Sequence, residues 1–182
     1  MNKKAFTLIE LLSVIVILSI LISIAFFSYS RYLKSSRRKV LEVNVKSIES
    51  AARNAISDCN KGATNSFCSE FVLPEPGESV EIKYSKLIES DYVEKFKNPY
   101  SRDIYCDIDS SYVYITRKSS TNVDGNVDKS DISFDYETCL ICNGDQNQEI
   151  YTMARIMKKK GISNTGITKC TGLNDNQIDK LD

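Results

Sequence analysis

The chain has 182 residues and a formal net charge of zero, with 24 Lys plus Arg against 24 Asp plus Glu. The balance is uneven: residues 1–57 hold nine basic and three acidic residues, residues 58–182 fifteen basic and twenty-one acidic, so the two stretches stand at +6 and −6. The absence of histidine excludes Ser-His and Cys-His dyads, His-based zinc hydrolase motifs and a His general base, the seven scattered glycines form no phosphate loop, and the split charge argues against a generally basic nucleic-acid binder.

Leu11 to Ser30 is a run of twenty residues without a charge. As a helix it is about 30 Å long, roughly the hydrocarbon thickness of a bilayer. Its β-branched residues favour strands, but the run is too long for one, and in lipid the backbone must close its hydrogen bonds within a helix. A cleaved secretory signal has a shorter apolar region, so the run reads as a retained membrane helix over about 8–30. Glu10 is out of place in a plain anchor. A carboxylate at mid-bilayer costs about 2.5–3.5 kcal/mol, less near the interface, so Glu10 either stays wet among headgroups or pairs with a cation in an assembly.

The string Lys3-Lys4-Ala5-Phe6-Thr7-Leu8-Ile9-Glu10-Leu11-Leu12 resembles the class III leader and processing site of type IV pilins and type II secretion pseudopilins. The resemblance covers about the first thirty residues. It implies cleavage by a prepilin peptidase between Ala5 and Phe6, N-methylation of the new Phe6 amine, and assembly with other pilin subunits through the N-terminal helix. Ala5 stands where the family usually has Gly, and the proline often found in the outer part of the apolar helix is absent, with Phe27 near that place. Cleavage would create a positive amine on Phe6, and in a filament of staggered helices the amine of one subunit can neutralise Glu10 of its neighbour. Phe6 and Glu10 are therefore the expected assembly residues. In a dry core such a pair is favoured chiefly because either charge alone is so costly.

Residues 31–57 continue the helix as an amphipathic segment. Val40, Leu41, Val45, Ile48, Ala52, Ala55 and Ile56 recur at three- and four-residue steps, and Glu42–Lys46 and Glu49–Arg53 are acid-base pairs in the favourable order. With no Gly or Pro in 6–57, the expected helix is about 78 Å long. Arg31, Lys34, Arg37, Arg38 and Lys39 follow the span, against Lys3 and Lys4 before it. By the positive-inside rule this places the head in the cytoplasm, opposite to what the leader implies. The cluster has two other outlets: acidic surface on neighbouring subunits, and anionic headgroups before assembly.

The expected organisation is thus a leader over 1–5, a helix over 6–57 and a cysteine-rich head over 58–182. The fold class is α+β, the helix packing on a small antiparallel-sheet head with one later C-terminal helix. Gly62 marks the helix stop, and Val80–Tyr84, Tyr112–Thr116 and Ile132–Tyr136 alternate as strands. Ser85–Val93 reads as a short helix before an Asn98-Pro99-Tyr100-Ser101 turn. Ile150, Met153, Ala154 and Met157 mark the late helix, closed by Lys158-Lys159-Lys160 and Gly161, which suit its dipole and C-cap.

All six cysteines lie in the head: Cys59, Cys68, Cys106, Cys139, Cys142 and Cys170. An even count in an exported domain points to disulfides, with fifteen pairings open. The alternatives are a zinc site using Cys139-x-x-Cys142 with two other cysteines and a thiol-redox role. Asp124-x-Asn126-x-Asp128 opens like a calcium loop, but Lys129 replaces the required Gly, and an acidic solvated turn is expected.

No enzymatic activity and no resident cofactor are expected. The leading function is a type IV pilus subunit, anchored in the cytoplasmic membrane and then assembled into an extracellular filament for adhesion, motility or aggregation. Its expected partners are itself, other pilin subunits and the prepilin peptidase/methylase. The alternatives are a pseudopilin of a secretion or competence system, an adhesin-like head using loops in 117–130 and 143–149, and a membrane-anchored metal- or thiol-binding module facing the cytoplasm.

Overall fold

The computed structural model describes residues 7–101, 103–118, 133–142 and 146–181. Helix α1 runs Leu8–Asn60, 53 residues without interruption. Two compact units divide the chain, Met1–Lys39 and Val40–Asp182. In the first unit the large apolar side chains from Leu8 to Ile24 are all exposed, between 48% and 84%. Among the described residues, α1 is the one helix long and apolar enough to cross a membrane.

The second unit begins inside α1. Leu41, Val45, Ile48, Ala52, Ala55 and Ile56 are buried as their spacing predicts, whereas Val40, expected with them, is 44% exposed. They enter the core beside a three-stranded antiparallel sheet of β1 (Ser79–Lys83), β2 (Asp107–Arg117) and β3 (Phe134–Ile141) in the order β1-β2-β3. Register places Val80 opposite Ile115 and Ile82 opposite Val113, then Ile115 opposite Tyr136 and Val113 opposite Thr138. Because cross-strand partners share a face, one apolar face results, and the Arg53 guanidinium of α1 lies 3.8 Å from the Tyr136 ring centroid. The opposite face carries Glu81, Tyr114 and Glu137 in one row, and Lys83, Tyr112 and Cys139 in the next.

The expected strands and helices are present with moved ends. The first strand closes at Lys83, and Tyr84 opens helix α3 (Tyr84–Glu89), which stops well short of Val93. Tyr84 is fully buried: its hydroxyl donates to the Glu94 carbonyl at 2.6 Å and accepts from Phe96 N–H at 3.0 Å. That pair fixes the chain leaving α3, and burial pushes the phenol up to about 12. The second strand reaches back to Asp107, with a register shift between Asp107 and Tyr112. The third is described from Phe134 and runs on to Ile141, while Ile132 lies outside the described residues. The turn at Asn98 forms as expected, with Ser101 N–H bonded to the Asn98 carbonyl at 3.3 Å.

The single late helix expected after the sheet is three helices: α4 (Gln146–Lys159), α5 (Asn164–Thr171) and α6 (Asp175–Asp179). A further short helix, α2 (Ser66–Glu70), follows α1. Cations at the end of α4 do more than complement its dipole. Lys158 Nζ donates to the carbonyls of Ile178 and Leu181, each at 3.0 Å, clamping the open end of α6. Lys160 Nζ reaches Glu49 of α1 at 2.5 Å, and Arg53 meets the other oxygen of Glu49 at 2.9 Å.

Burial raises the Glu49 carboxyl, but its bonds to Lys160 and Arg53 and their charges outweigh burial and leave it below 4.5. A depressed folded value adds stability that is complete above the unfolded value and is lost as pH falls through the folded one. Glu49→Gln is expected to lower stability at pH 7 by about 1–2 kcal/mol, and to narrow its deficit against the parent chain as pH drops below 4.5. Thermal melts of the detergent-solubilised chain between pH 7 and pH 3 check this; a deficit that stays constant with pH contradicts it.

Candidate functional site: the start of the N-terminal helix

Ala5 and Phe6, the expected cleavage pair, lie outside the described residues. Thr7 and Glu10 are the first residues of the predicted assembly site within them, and they form a closed local unit. Thr7 N–H donates to Glu10 Oε2 at 2.9 Å and the Thr7 hydroxyl to the same oxygen at 2.7 Å, while Glu10 N–H donates to Thr7 Oγ1 at 3.4 Å. This reciprocal pattern is a capping box: a hydroxyl residue and an acid three positions later satisfy the free donors at a helix start. The Thr7-x-x-Glu10 spacing is legible in the sequence as a capping signature, a local role distinct from the wet or paired charge expected of Glu10.

The cap has two chemical consequences. It anchors the helix start immediately after the Phe6–Thr7 peptide, so an amine created on Phe6 sits one residue from Glu10's own cap. It also gives the carboxylate acceptor duties inside its own chain, in an exposed position. Glu10 therefore needs no partner to exist in an isolated subunit, while its other oxygen stays open to a neighbour's cation. Farther along, Ser13, Ser19, Ser23 and Ser28 each return their hydroxyl to a carbonyl three or four residues back, at 2.6 to 3.4 Å. Those polar groups are thereby satisfied within the helix, as a lipid-facing segment requires.

The six cysteines form three disulfides: Cys59–Cys68, Cys106–Cys142 and Cys139–Cys170. The first closes the turn where α1 gives way to α2. The second joins the segment entering β2 to the end of β3, and the third ties β3 to α5 on the face opposite α1. The Cys139-x-x-Cys142 pair is thus divided between two disulfides, and no free cysteine remains. Neither sulfur is left as a thiolate for the zinc or thiol-redox chemistry considered from the sequence. The Asp124–Asp128 motif lies outside the described residues, as does most of the two loops considered for adhesion.

The prokaryotic N-terminal methylation motif matches residues 1–26. Over this stretch, about a seventh of the chain, the sequence is similar to the class III prepilin leader region of type IV pilins and pseudopilins. The match supports a prepilin-processed protein of the pilin or pseudopilin type, handled by prepilin peptidase and associating with other pilin subunits. With the long apolar helix it fits a membrane-anchored pilin. No curated protein and no solved structure matches the chain.

The disulfide map predicts that the unreduced chain, denatured and treated with a maleimide, takes up no label, whereas the reduced chain takes up six equivalents, one for each cysteine. Labelling of Cys139 and Cys142 without reduction contradicts the map. Cys139→Ser with Cys170→Ser is expected to lower stability by about 2–5 kcal/mol.

Proposed function

We propose that this chain is a structural subunit of a type IV pilus, cut before Phe6, methylated there and assembled through α1 into a surface filament. The observation that carries the reading is the methylation motif at 1–26 overlapping the start of a helix whose large apolar side chains from Leu8 to Ile24 are exposed among the described residues. Lipid covers that surface before assembly, and the same surface on other subunits covers it afterwards. In this reading the chain is not an enzyme and carries no resident cofactor: processing chemistry is done to it.

Three disulfides favour a head folded in an oxidising compartment, outside the cytoplasm. They weigh against the positive-inside count, and they leave the basic residues 31–39 to be explained by something other than topology. The three late helices and the heavily cross-linked head favour a specialised or minor subunit. A pseudopilin shares the leader and differs in destination, since it does not appear in sheared surface filaments.

Within this reading, Glu10 changes partners on assembly, exchanging part of its own cap for the Phe6 amine of a neighbour. Glu10→Ala is expected to enter the membrane normally, because removing the carboxylate lowers the cost of insertion. Its incorporation into filaments is expected to fall by about two to four orders of magnitude, the equivalent of about 3–5 kcal/mol for a buried cation left alone. Membrane fractionation and quantification of sheared filaments measure both. Normal incorporation of Glu10→Ala contradicts the role given to this charge.

A further inference from the structure

Two surfaces on this chain are complementary, and neither is used by the contacts described so far. The first is on α1. Arg31, Lys34 and Arg38 are exposed, and their three- and four-residue steps place them on one helical face. Among the described residues none of the three has an ion pair or a hydrogen-bonded partner. The second is a groove in the Val40–Asp182 unit, about 580 Å³ in volume, between edge strand β1, α2 and α3. Phe67, Phe71, Val72, Val80 and Ile82 supply its apolar lining, and Val72 is 77% exposed.

Carboxylates outnumber cations in the lining, with Glu70, Glu81 and Glu89 against Lys83 and Lys86. Residues 70–89 contain five glutamates and two lysines, a net charge of −3. Lys86 is shared between Glu70 at 2.5 Å and Glu89 at 3.9 Å, so one ammonium serves two carboxylates. Glu75 and Glu78 are exposed in the turn that leads into β1. An apolar floor with an acidic rim suits long basic side chains better than any other kind: the aliphatic stems lie on the floor, guanidinium planes stack on Phe rings, and the charged ends meet the rim.

We infer that the groove bounded by β1, α2 and α3 receives the Arg31–Lys34–Arg38 face of a second copy of this chain. The occupant is chosen by charge. An unpaired cationic face on α1 is opposite in sign to the segment 70–89 that supplies most of the groove's lining, and the chain as a whole is split +6 and −6 in the same sense. The contact joins unlike surfaces on the two copies, so it is heterologous and propagates from subunit to subunit instead of closing into a dimer. It rests on the filament reading for its setting and gives the basic cluster a task there that its topological conflict leaves open.

The test places a photoreactive amino acid at Val72 in the full-length chain, expressed in cells beside a differently tagged copy. Irradiation is expected to give a cross-linked pair carrying both tags, with the second peptide mapping to residues 29–39. Arg31→Glu with Lys34→Glu and Arg38→Glu should reduce that pair by roughly tenfold or more, as like charges are brought together. Adding Glu75→Lys, Glu78→Lys and Glu89→Lys to the other copy should restore it. Thermal melts confirm that each variant is folded.

Cross-links to another segment, to a different protein, to lipid or only within one chain overturn the inference, and so does a charge swap that fails to restore the pair. Quantifying the chain in sheared filaments separates this outcome from the fate of the filament reading. Filaments without the Val72 cross-link refute the groove contact alone. Absence of the chain from filaments refutes the pilus assignment, while the cross-link still reports on contact between copies in the membrane.

Discussion

From Leu8 to Ile24 the large apolar side chains of α1 are exposed among the described residues, and much else about the molecule follows from that constraint. Apolar surface of this extent is driven out of water at about 25 cal/mol per Å². In the proposed filament the segment is covered by lipid first and by other subunits later, so the same side chains serve both. Between lipid and a helix bundle there is little hydrophobic difference, since acyl chains are as apolar as leucine. The apolar surface consequently supplies affinity for either environment without choosing between them. The choice falls to the few polar groups at the helix start, where a charge carries a large cost if it loses its partner.

Glu10 and Thr7 are those groups. The capping box gives the carboxylate hydrogen-bond donors in a lone subunit without help from another chain. A neighbour's amine can then compete for the open oxygen at the moment water and headgroups are excluded. The head follows a different logic. Its core is built on the second half of α1, and three disulfides tie down the turn after α1, the two longest strands and α5. One helix thus links two units held by different means, the first by its surroundings and the second by its own packing.

How far the sequence reveals this depends on the kind of signal each part uses. The uncharged run Leu11–Ser30 carries the first half of α1 and the 3.6 period its buried stripe from Leu41 to Ile56, while alternation carries most of β1, Tyr112–Thr116 within β2 and only the first three residues of β3. The ends of elements are less legible because tertiary contacts decide them. Tyr84 alternates like a strand residue, yet its buried hydroxyl bonds draw it into the start of α3. The helices α5 and α6 are too short for a periodic pattern and are marked by caps instead: Ser163 accepts from Gly166 N–H, Gly172 takes a positive φ, and Asn174 forms a box with Gln177. Asn174-x-x-Gln177 and Thr7-x-x-Glu10 were both readable by the same rule. The disulfide pairing was not, because spacing alone leaves the partners open until β3 brings Cys139 and Cys142 to different neighbours.

The central claim is that a peptidase and a methylase act on this chain before Phe6 and so create the cation that Glu10 meets on assembly. Mass spectrometry of the N-terminal peptide, from protein taken from its native membrane and filaments, tests it most directly. The account predicts a peptide that begins at Phe6 and carries a methyl group on its amine. A peptide that still contains Met1 or Asn2 in assembled material would contradict it.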